Sequence, residues 1–541
     1  MTEEITKSVF LTERGIWTEY LPGETVGELL LRQGIYIDQP CGGTGLCGKC
    51  RVILSGTIPE PTSKDKKIFS AEELTSGFRL ACRTKASGGM MVTIPAQDSQ
   101  NMKVLDTFEN GTHRAVPCRA DNSSGIAVDI GTTTIVAYLV DLGTGMTLSA
   151  SSAINPQTSF GADVISRISY IGDDPEKLSE LQRAVMKQIN VLIKEVFSKT
   201  GRKPSAKDSI VVAGNTTMEH IFAGISPESI GKSPFKPQFY DSIEFDALKL
   251  GIEAENGVKV KLMPNIHGFI GGDIVSGIIY SGIHDADELS LLVDIGTNNE
   301  IVLGNKDLMY CCSAAAGPAL EGAKIKMGMR AAPGAIDSVK INGSGIKIST
   351  INDRPPLGIC GSGLVDAISE LLKAGVITKS GRFAKKEVIK DTYLSERLTG
   401  SAGPDLSFIL AREGGQGRNP EVGLTQKDIR EIQLAKGAMA AGVEILLDVA
   451  DKKLDDIKNV YLAGAFGNYI DIENAVRISI LPDVPRERIH PIGNSAGAGA
   501  CLMLKEPGLW ETAAGLINKA EHVELASHKD FQDIFVGKLS F

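Results

Sequence analysis

Residues 125–134 read Gly125-Ile126-Ala127-Val128-Asp129-Ile130-Gly131-Thr132-Thr133-Thr134: an apolar strand that ends in an aspartate and a Gly-Thr turn. The core of that stretch returns as Val293-Asp294-Ile295-Gly296-Thr297, followed by Asn298. Each copy leads into a second apolar strand, IVAYLV in the first case and EIVLG in the second. A strand-turn-strand of this kind offers backbone N–H groups and hydroxyls to phosphate oxygens. Its Asp can hold hydrated Mg²⁺, which takes carboxylate oxygen plus waters. A single copy often does no more than end a strand. Two facing copies can clamp one polyphosphate, with a carboxylate from each side, which suits a loose phosphoryl-transfer transition state.

A second echo strengthens the reading. Val211-Val212-Ala213-Gly214-Asn215 is matched by Tyr461-Leu462-Ala463-Gly464-Ala465. Two local patterns recurring in the same order imply two lobes built on one plan. Residues 124–541 alternate apolar strands with helical stretches, the pattern of α/β layers. The expected lobes are about 124–281 and 282–541. Met263–Asp273 lies between them and reads as the crossover. Ala463-Gly464-Ala465-Phe466-Gly467-Asn468 ends an apolar strand, and Gly493-Asn494-Ser495-Ala496-Gly497-Ala498 opens a small-residue helix. Glycines at such points let backbone approach an adenosine or α-phosphate. No Gly-x4-Gly-Lys-Ser/Thr occurs, which excludes a P-loop protein.

The N-terminal part is different. Cys41, Cys47, Cys50 and Cys82 give C-x5-C-x2-C and a distant fourth cysteine, in a loop rich in glycine. Thiolates that converge on one point, with backbone amides turned toward anionic sulfur, need such a loop. Structural cysteines or zinc are the competing readings, but zinc sites usually show two short cysteine pairs. The pattern points to one [2Fe–2S] cluster, with spacing one residue longer than the plant-type loop. Val9–Leu11 and Ile16–Leu21 are expected to form a hairpin and Thr25–Gln33 a helix stopped by Gly34. Arg51–Leu54 and Met91–Ile94 are expected as strands, with a capped helix at Ser70–Leu74. Residues 1–95 thus form a compact α+β unit. Residues 96–123 are polar and irregular, and read as a linker; a flexible chain of 28 residues spans on the order of 30 Å.

Bulk composition narrows the classes. Hydrophobic residues make up 42% and charged residues 23%, ordinary for a globular chain. A net charge of −9 without a basic run argues against nucleic-acid binding. No apolar run is long enough to cross a bilayer, and the first ten residues lack a signal-like core. A cytoplasmic protein is expected.

These motifs carry three resemblances. Residues 5–95 resemble β-grasp ferredoxins of the adrenodoxin-like branch. The order of loops after 124 resembles the actin/Hsp70/sugar-kinase (ASKHA) superfamily. Both halves together resemble the reductive activators of corrinoid-dependent enzymes, on Asn155-Pro156-Gln157, Gly161–Arg167, Gly214–His220, Ser313–Gly322 and Gly358–Leu364. The resemblance implies an α+β ferredoxin domain followed by an α/β two-lobed ATPase. It implies ATP-dependent reduction of Co(II) to Co(I) in a corrinoid protein of a methyltransferase system, fed by a low-potential electron donor, and it admits a homodimer. Asp129 and Asp294 are the expected catalytic carboxylates. Gly131, Thr132, Thr133, Gly296, Thr297, Asn298, Gly464, Ala465, Phe466, Gly493, Asn494 and Ser495 are the expected nucleotide contacts, with Mg²⁺. Some family members carry a separate middle domain; only 28 residues between Ala96 and Ser123 are available for one here, so it is expected to be missing.

Other features have plainer readings. Cys311-Cys312 could ligate a second cluster, but vicinal cysteines on an apolar segment are usually small hydrophobes. Cys360 is expected beside a helix start. His220 and His267 fall in motif loops and read as structural. Residues 379–421 read as a solvated edge. The rival functions are a kinase of the same superfamily with a regulatory cluster, and a nucleotide-gated interaction module. A kinase would need a general base for a hydroxyl, and the sequence singles out none.

Overall fold

The computed structural model describes residues 8–95 and 123–541, apart from 38, 40–42, 46–47, 318, 323, 344, 401–402, 404–405, 413–420 and 468, and without the side chains of Ala465 and Phe466. All but the last residue of the expected linker lies outside these residues.

The N-terminal unit is a mixed sheet over one helix. Strands β1 (Ser8–Leu11), β2 (Ile16–Glu19), β3 (Arg51–Gly56), β4 (Phe78–Leu80) and β5 (Met90–Thr93) align in the order β2-β1-β5-β3-β4. The outer hairpin is antiparallel, while β1 runs parallel to β5. The helix Val26–Arg32 starts where expected: Thr25 and Glu28 form a reciprocal capping box, which satisfies two end N–H groups. It buries Leu29 and Leu30 against Val9, Leu11, Val52 and Leu80. Ser70 and Glu73 cap the short helix Ala71–Thr75 in the same way.

The next sheet comprises β6 (Ser124–Ile130), β7 (Thr134–Asp141), β8 (Thr147–Ile154), β9 (Ser209–Gly214), β10 (Glu244–Asp246) and β11 (Lys259–Leu262), in the order β10-β11-β9-β6-β7-β8. The last large sheet begins with β12 (Ser290–Ile295), β13 (Asn299–Gly304) and β14 (Met309–Ala314). Two small sheets intervene, made of β15 (Ala335–Asn342), β16 (Gly345–Thr350) and β17 (Gly358–Ile359), and of β18 (Leu398–Thr399), β19 (Ser407–Ala411) and β20 (Val422–Thr425). Strands β21 (Asn459–Ala463), β22 (Ile489–Gly493) and β23 (Glu521–His522) complete the order β22-β21-β12-β13-β14-β23.

The two large sheets repeat one topology. In each, three strands meander antiparallel (β6-β7-β8 and β12-β13-β14), and two more add in parallel on the other side of the first (β9, β11 and β21, β22). The sequence echoes fall on equivalent positions: Asp129 sits opposite Ala213, and Asp294 opposite Ala463. Central strands covered on both faces read as nearly continuous apolar runs, and β6 is buried throughout except at Asp129. The helix Pro175–Thr200 lays Leu181, Val185, Ile189 and Val196 on the first sheet.

The lobes meet where helix Gly272–Ser281 crosses helix Ser495–Lys505. A Cβ on Gly499 would lie 2.3 Å from the Ser276 carbonyl oxygen, and one on Gly497 2.4 Å from the Tyr138 ring. Only a small-residue face permits that approach. The N-terminal unit rests on the first lobe: Leu31 packs on its core, and Ser159 Oγ donates to the Ile37 carbonyl at 2.9 Å.

Two expectations are corrected. His220 lies inside the helix Thr216–Ala223, not in a loop. The solvated edge expected at residues 379–421 holds only in part among the described residues: most positions from 379 to 400 are exposed, but Phe383, Ile389, Leu394, Leu398 and Phe408 anchor the segment in the core of the second lobe. Apolar residues are spaced too widely there to stand out among glycines and charges.

The helix crossing can be tested by a paired substitution. Gly499→Ala should lower the thermal midpoint, at a cost of about 1–3 kcal/mol for overpacking. Gly515→Ala, where a Cβ meets nothing within 4 Å, should leave the midpoint unchanged or raise it, since alanine in a helix is worth up to about 1 kcal/mol over glycine. Equal effects of the two would contradict the crossing.

Candidate functional site

Asp129 and Asp294 each stand one residue before the end of a central strand, so both point into the cleft where β6 and β12 face each other. The turns that follow are held firmly. Asn155 Nδ2 donates to the Gly131 carbonyl at 2.8 Å, and Asn215 Nδ2 to Thr132 Oγ1 at 2.9 Å. Arg167, fully buried, donates to the Thr132 carbonyl, to the Gly161 carbonyl at 3.0 Å and to Gln157 Oε1 at 3.1 Å. Burial lowers its pKa to about 9, which leaves it charged at neutral pH. The turns face one another across 3.2 Å between Thr133 Oγ1 and Thr297 Oγ1.

Asp129, Gly131, Thr132, Thr133, Asp294, Gly296, Thr297, Asn298, Gly464, Asn494 and Ser495 line this one cleft. Gly464 is required by space: it has φ +88°, and a Cβ there would lie 2.7 Å from Asp294 Oδ1 and 2.5 Å from the Ile295 carbonyl oxygen. Asn494 caps the Ser495–Lys505 helix by accepting from Gly497 N at 2.8 Å, and its Nδ2 donates to Asp129 Oδ2 at 2.8 Å. That helix therefore presents its N-terminus to the cleft, a place suited to anions. Gly493 ends β22 and is not in the lining; Ala465 and Phe466 belong to the short helix Gly464–Gly467, their side chains outside the description.

The cleft adds residues that motif reading passed over: Asn215, Asp273, Glu300, Leu320 and Glu321. Each stood inside a quoted stretch, but no spacing rule marked it, because the fold brings them together from four separate segments. Burial pushes Asp294 up to about 6. Burial, then the charge of Asp294, pushes Asp129 up to about 7 against the Asn494 bond. Burial and both neighbouring aspartates take Asp273 up to about 8. Glu300 is raised well above the usual carboxylate range by burial, Asp273 and Asp294. No lysine or arginine is in the described lining. A polyphosphate could not enter such a cleft without a counter-cation. Among the described residues no three His, Cys, Asp or Glu side chains are placed to grip a metal on their own. The donor set instead fits an ion that keeps its waters and takes phosphate oxygens.

In the N-terminal unit, Cys41 and Cys47 lie outside the described residues. Cys50 and Cys82 converge, with their sulfurs 3.3 Å apart and both buried. Gly43, Gly45 and Gly48 have φ of +79°, +72° and +69°, the left-handed conformation expected of a loop that turns amides inward. This arrangement fits a cluster.

Other candidates have local explanations. Cys311 and Cys312 are fully buried on β14; burial pushes the first up to about 12 and the second well above its ordinary value. Cys360 stands at the start of the helix Gly361–Lys373 without a side-chain cap bond, its Sγ 3.3 Å from the Ile336 carbonyl. His220 accepts from Gln238 N through Nε2 at 2.9 Å, so Nδ1 carries the proton toward Thr216 O at 2.7 Å. Burial lowers its pKa to about 4. His267 stacks on His522, ring centroids 3.7 Å apart.

A two-lobed cleft lined by repeated strand-turn-strand ends, behind a ferredoxin-type unit, defines an ASKHA-type protein with an iron–sulfur-type module. Residues 10–87 match the 2Fe-2S iron-sulfur cluster binding domain, 124–286 the RACo middle region, and 288–541 the C-terminal domain of RACo, the ASKHA domain. The corrinoid activation enzyme RamQ of Eubacterium limosum is 37% identical over 421 residues, 77% of this chain and 70% of its own length. The Co(II) methylated amine-specific corrinoid protein reductase of Methanosarcina barkeri is 25% identical over 455 residues, 77% of each chain. A solved reductive activator for corrinoid,iron-sulfur protein superposes with a TM-score of 0.69 at 31% identity, covering 99% of this chain and 98% of that one. The chain belongs to the RACo family of corrinoid-protein activators. The expectation of a missing middle domain is overturned: the middle region matches 124–286, which includes the whole first sheet, so no extra insertion was needed between ferredoxin and cleft.

The acidic cleft yields a pH test. A carboxyl whose folded pKa is raised contributes stability below its unfolded pKa, near 4, that is lost as pH rises through the folded value. For Asp129 the loss spans about pH 4 to 7. Asp129→Asn should therefore raise the melting temperature of the nucleotide-free protein at pH 8, on the order of 2 °C, and have little effect at pH 4. A difference that does not depend on pH would contradict the assignment.

Proposed function

We propose that this chain is an ATP-dependent reductive activator that passes one electron from a [2Fe–2S] cluster to Co(II) of a corrinoid protein and so regenerates Co(I). The observation that carries the reading is the pairing, in one chain, of Cys50 in a glycine loop converging with the distant Cys82, and an acidic two-lobed cleft. Whole-length likeness to an activator supports it. On this reading residues 1–95 carry the cluster through Cys41, Cys47, Cys50 and Cys82, residues 96–123 connect, and residues 124–541 form the two lobes that bind ATP. A bound cluster supplies one low-potential electron.

The protein side of the mechanism is positioning. The turns at Gly131–Thr133 and Gly296–Asn298 offer N–H groups and hydroxyls to phosphates from opposite sides. Asp129 and Asp294 would hold a hydrated Mg²⁺ that neutralises phosphate charge, and Asn494 orients Asp129. Gly464 and the N-terminus of the Ser495–Lys505 helix leave room for the rest of the nucleotide. Plant-type clusters sit near about −400 mV, and a one-electron deficit costs about 2.3 kcal/mol per 100 mV. ATP can offset that only if the closed and open lobes bind the corrinoid protein with different affinity. The electron donor is a separate low-potential carrier, and the setting is cytoplasmic. A kinase with a regulatory cluster is the less favoured reading, since nothing in the cleft singles out a base for a substrate hydroxyl.

Three experiments test this. Iron and sulfide analysis should find about two of each per chain, with Cys50→Ser or Cys82→Ser losing the native cluster spectrum; zinc alone, or four irons, would refute the cluster. Asp129→Ala and Asp294→Ala should keep that spectrum but abolish ATP-driven appearance of the Co(I) absorption. The chain divided near Ser123 should give a piece that accepts one electron and a piece that binds nucleotide and Co(II)-corrinoid protein. Neither should make Co(I) alone. Production of Co(I) by the ferredoxin piece and reductant at the intact rate without ATP would refute coupling.

A further inference from the structure

The N-terminal unit touches both lobes, and the two contacts differ in kind. On the first lobe, Leu31 joins the core and Ser159 Oγ donates to the Ile37 carbonyl at 2.9 Å. On the second, Lys49 Nζ donates to the Gly328 carbonyl at 3.3 Å. Lys49 stands between Cys47 and Cys50 in the cysteine loop. A motion of one lobe against the other would leave the unit seated on the first lobe and strain the contact to the second.

Gly328 is joined to the cleft through its own loop. Seven residues earlier, the Glu321 carboxylate lies between the phosphate turns. It accepts from Thr297 Oγ1 at 2.7 Å through Oε1 and from Thr133 Oγ1 at 3.3 Å through Oε2. Thr133 belongs to the first lobe and Thr297 to the second, so this one carboxylate ties them together. The backbone next to it is pinched against Gly328. A Cβ on Gly328 would lie 2.1 Å from the Gly322 carbonyl oxygen, and one on Gly322 2.8 Å from Met329 N. With no slack between them, a shift at Glu321–Gly322 is carried to Gly328.

We propose that Glu321 holds the place of a nucleotide phosphate, and that its displacement by nucleotide loosens the Lys49–Gly328 contact and so unseats the cysteine loop from the second lobe. A phosphate oxygen would compete for the same two threonine hydroxyls. It carries the same sign of charge as Glu321, and the two cannot share the position at low cost. The nucleotide then breaks the tie between the lobes and moves the loop that Lys49 grips. Electron delivery and nucleotide state become linked through five residues, Thr133, Thr297, Glu321, Gly328 and Lys49. This proposal rests on the cleft being the nucleotide site.

The test is hydrogen exchange on the intact, cluster-loaded chain with and without a non-hydrolysable Mg-ATP analogue, together with analogue affinity. In the wild type the analogue should raise exchange severalfold in peptides covering 43–50 and 319–330. Glu321→Gln should bind the analogue at least ~3-fold more tightly, because one repelling charge is gone, yet show no change at 43–50. Lys49→Met should bind it normally and show raised exchange at 43–50 already without it. A wild-type response at 43–50 in Glu321→Gln, or a retained response in Lys49→Met, would overturn the proposal. Analogue binding by the wild type with no change at 43–50 would overturn it alone, whereas failure of the wild type to bind the analogue would overturn the cleft assignment as well.

Discussion

Burial of four carboxyl groups in one cleft, those of Asp129, Asp273, Asp294 and Glu300, is the constraint around which the two lobes are arranged. The four come from different elements, and no lysine or arginine joins them in the described lining. Their raised pKa values have burial as the first cause and one another's charge as a further one for all but Asp294. A cluster of this sort is a cost to the empty protein, and a divalent ion with its phosphates would relieve it. The same charge accounts for the donors nearby. Asn155, Asn215 and Asn494 are neutral and fix the turns and Asp129 without neutralising them. The Arg167 guanidinium is buried behind the first turn and bonds carbonyls and an amide.

The second constraint is closeness of backbone. Gly464 against Asp294, Gly499 against Ser276 and Gly328 against Gly322 are all approaches that a single methyl group would block. The first admits a ligand beside a carboxylate, the second lets the lobes cross at a small-residue helix, and the third couples one end of a loop to the other. Glycine costs conformational entropy on folding, so its use at these points marks where geometry outweighs that loss.

Much of this was legible in the sequence for a physical reason. Duplication wrote the cleft twice, and the paired echoes fall on equivalent strands, Asp129 with Ala213 and Asp294 with Ala463. The capping boxes at Thr25 and Ser70 mark helix starts because they depend on residues three apart. What could not be read depends on tertiary proximity. Asp273 and Glu321 are ordinary acids until the fold sets them beside Asp294 and Thr297. His220 looked like a loop residue because its helix is short and opens on polar residues. The 379–421 segment looked solvated because its buried residues are sparse. The first lobe was also not recognised as the middle region, because a separate insertion was sought where the lobe itself served.

The layout bears on how an uphill electron transfer can be driven. Binding energy can move an electron only if the acceptor's partner grips one conformation more tightly than another. A rigid cleft would hold nucleotide without consequence elsewhere. Here the cleft is bridged by a carboxylate that a nucleotide, on the proposal above, would displace, and the cysteine loop is joined to the lobe that carries that carboxylate. The N-terminal unit meanwhile keeps an apolar seat on the first lobe. An apolar contact through Leu31 on one side and a lysine hydrogen bond on the other make an unequal pair. The first depends on area removed from water and tolerates small shifts. The second depends on a distance near 3 Å and fails within about an ångström. If the lobes move, that inequality would decide which contact yields, and the yielding contact would be the one beside Cys50.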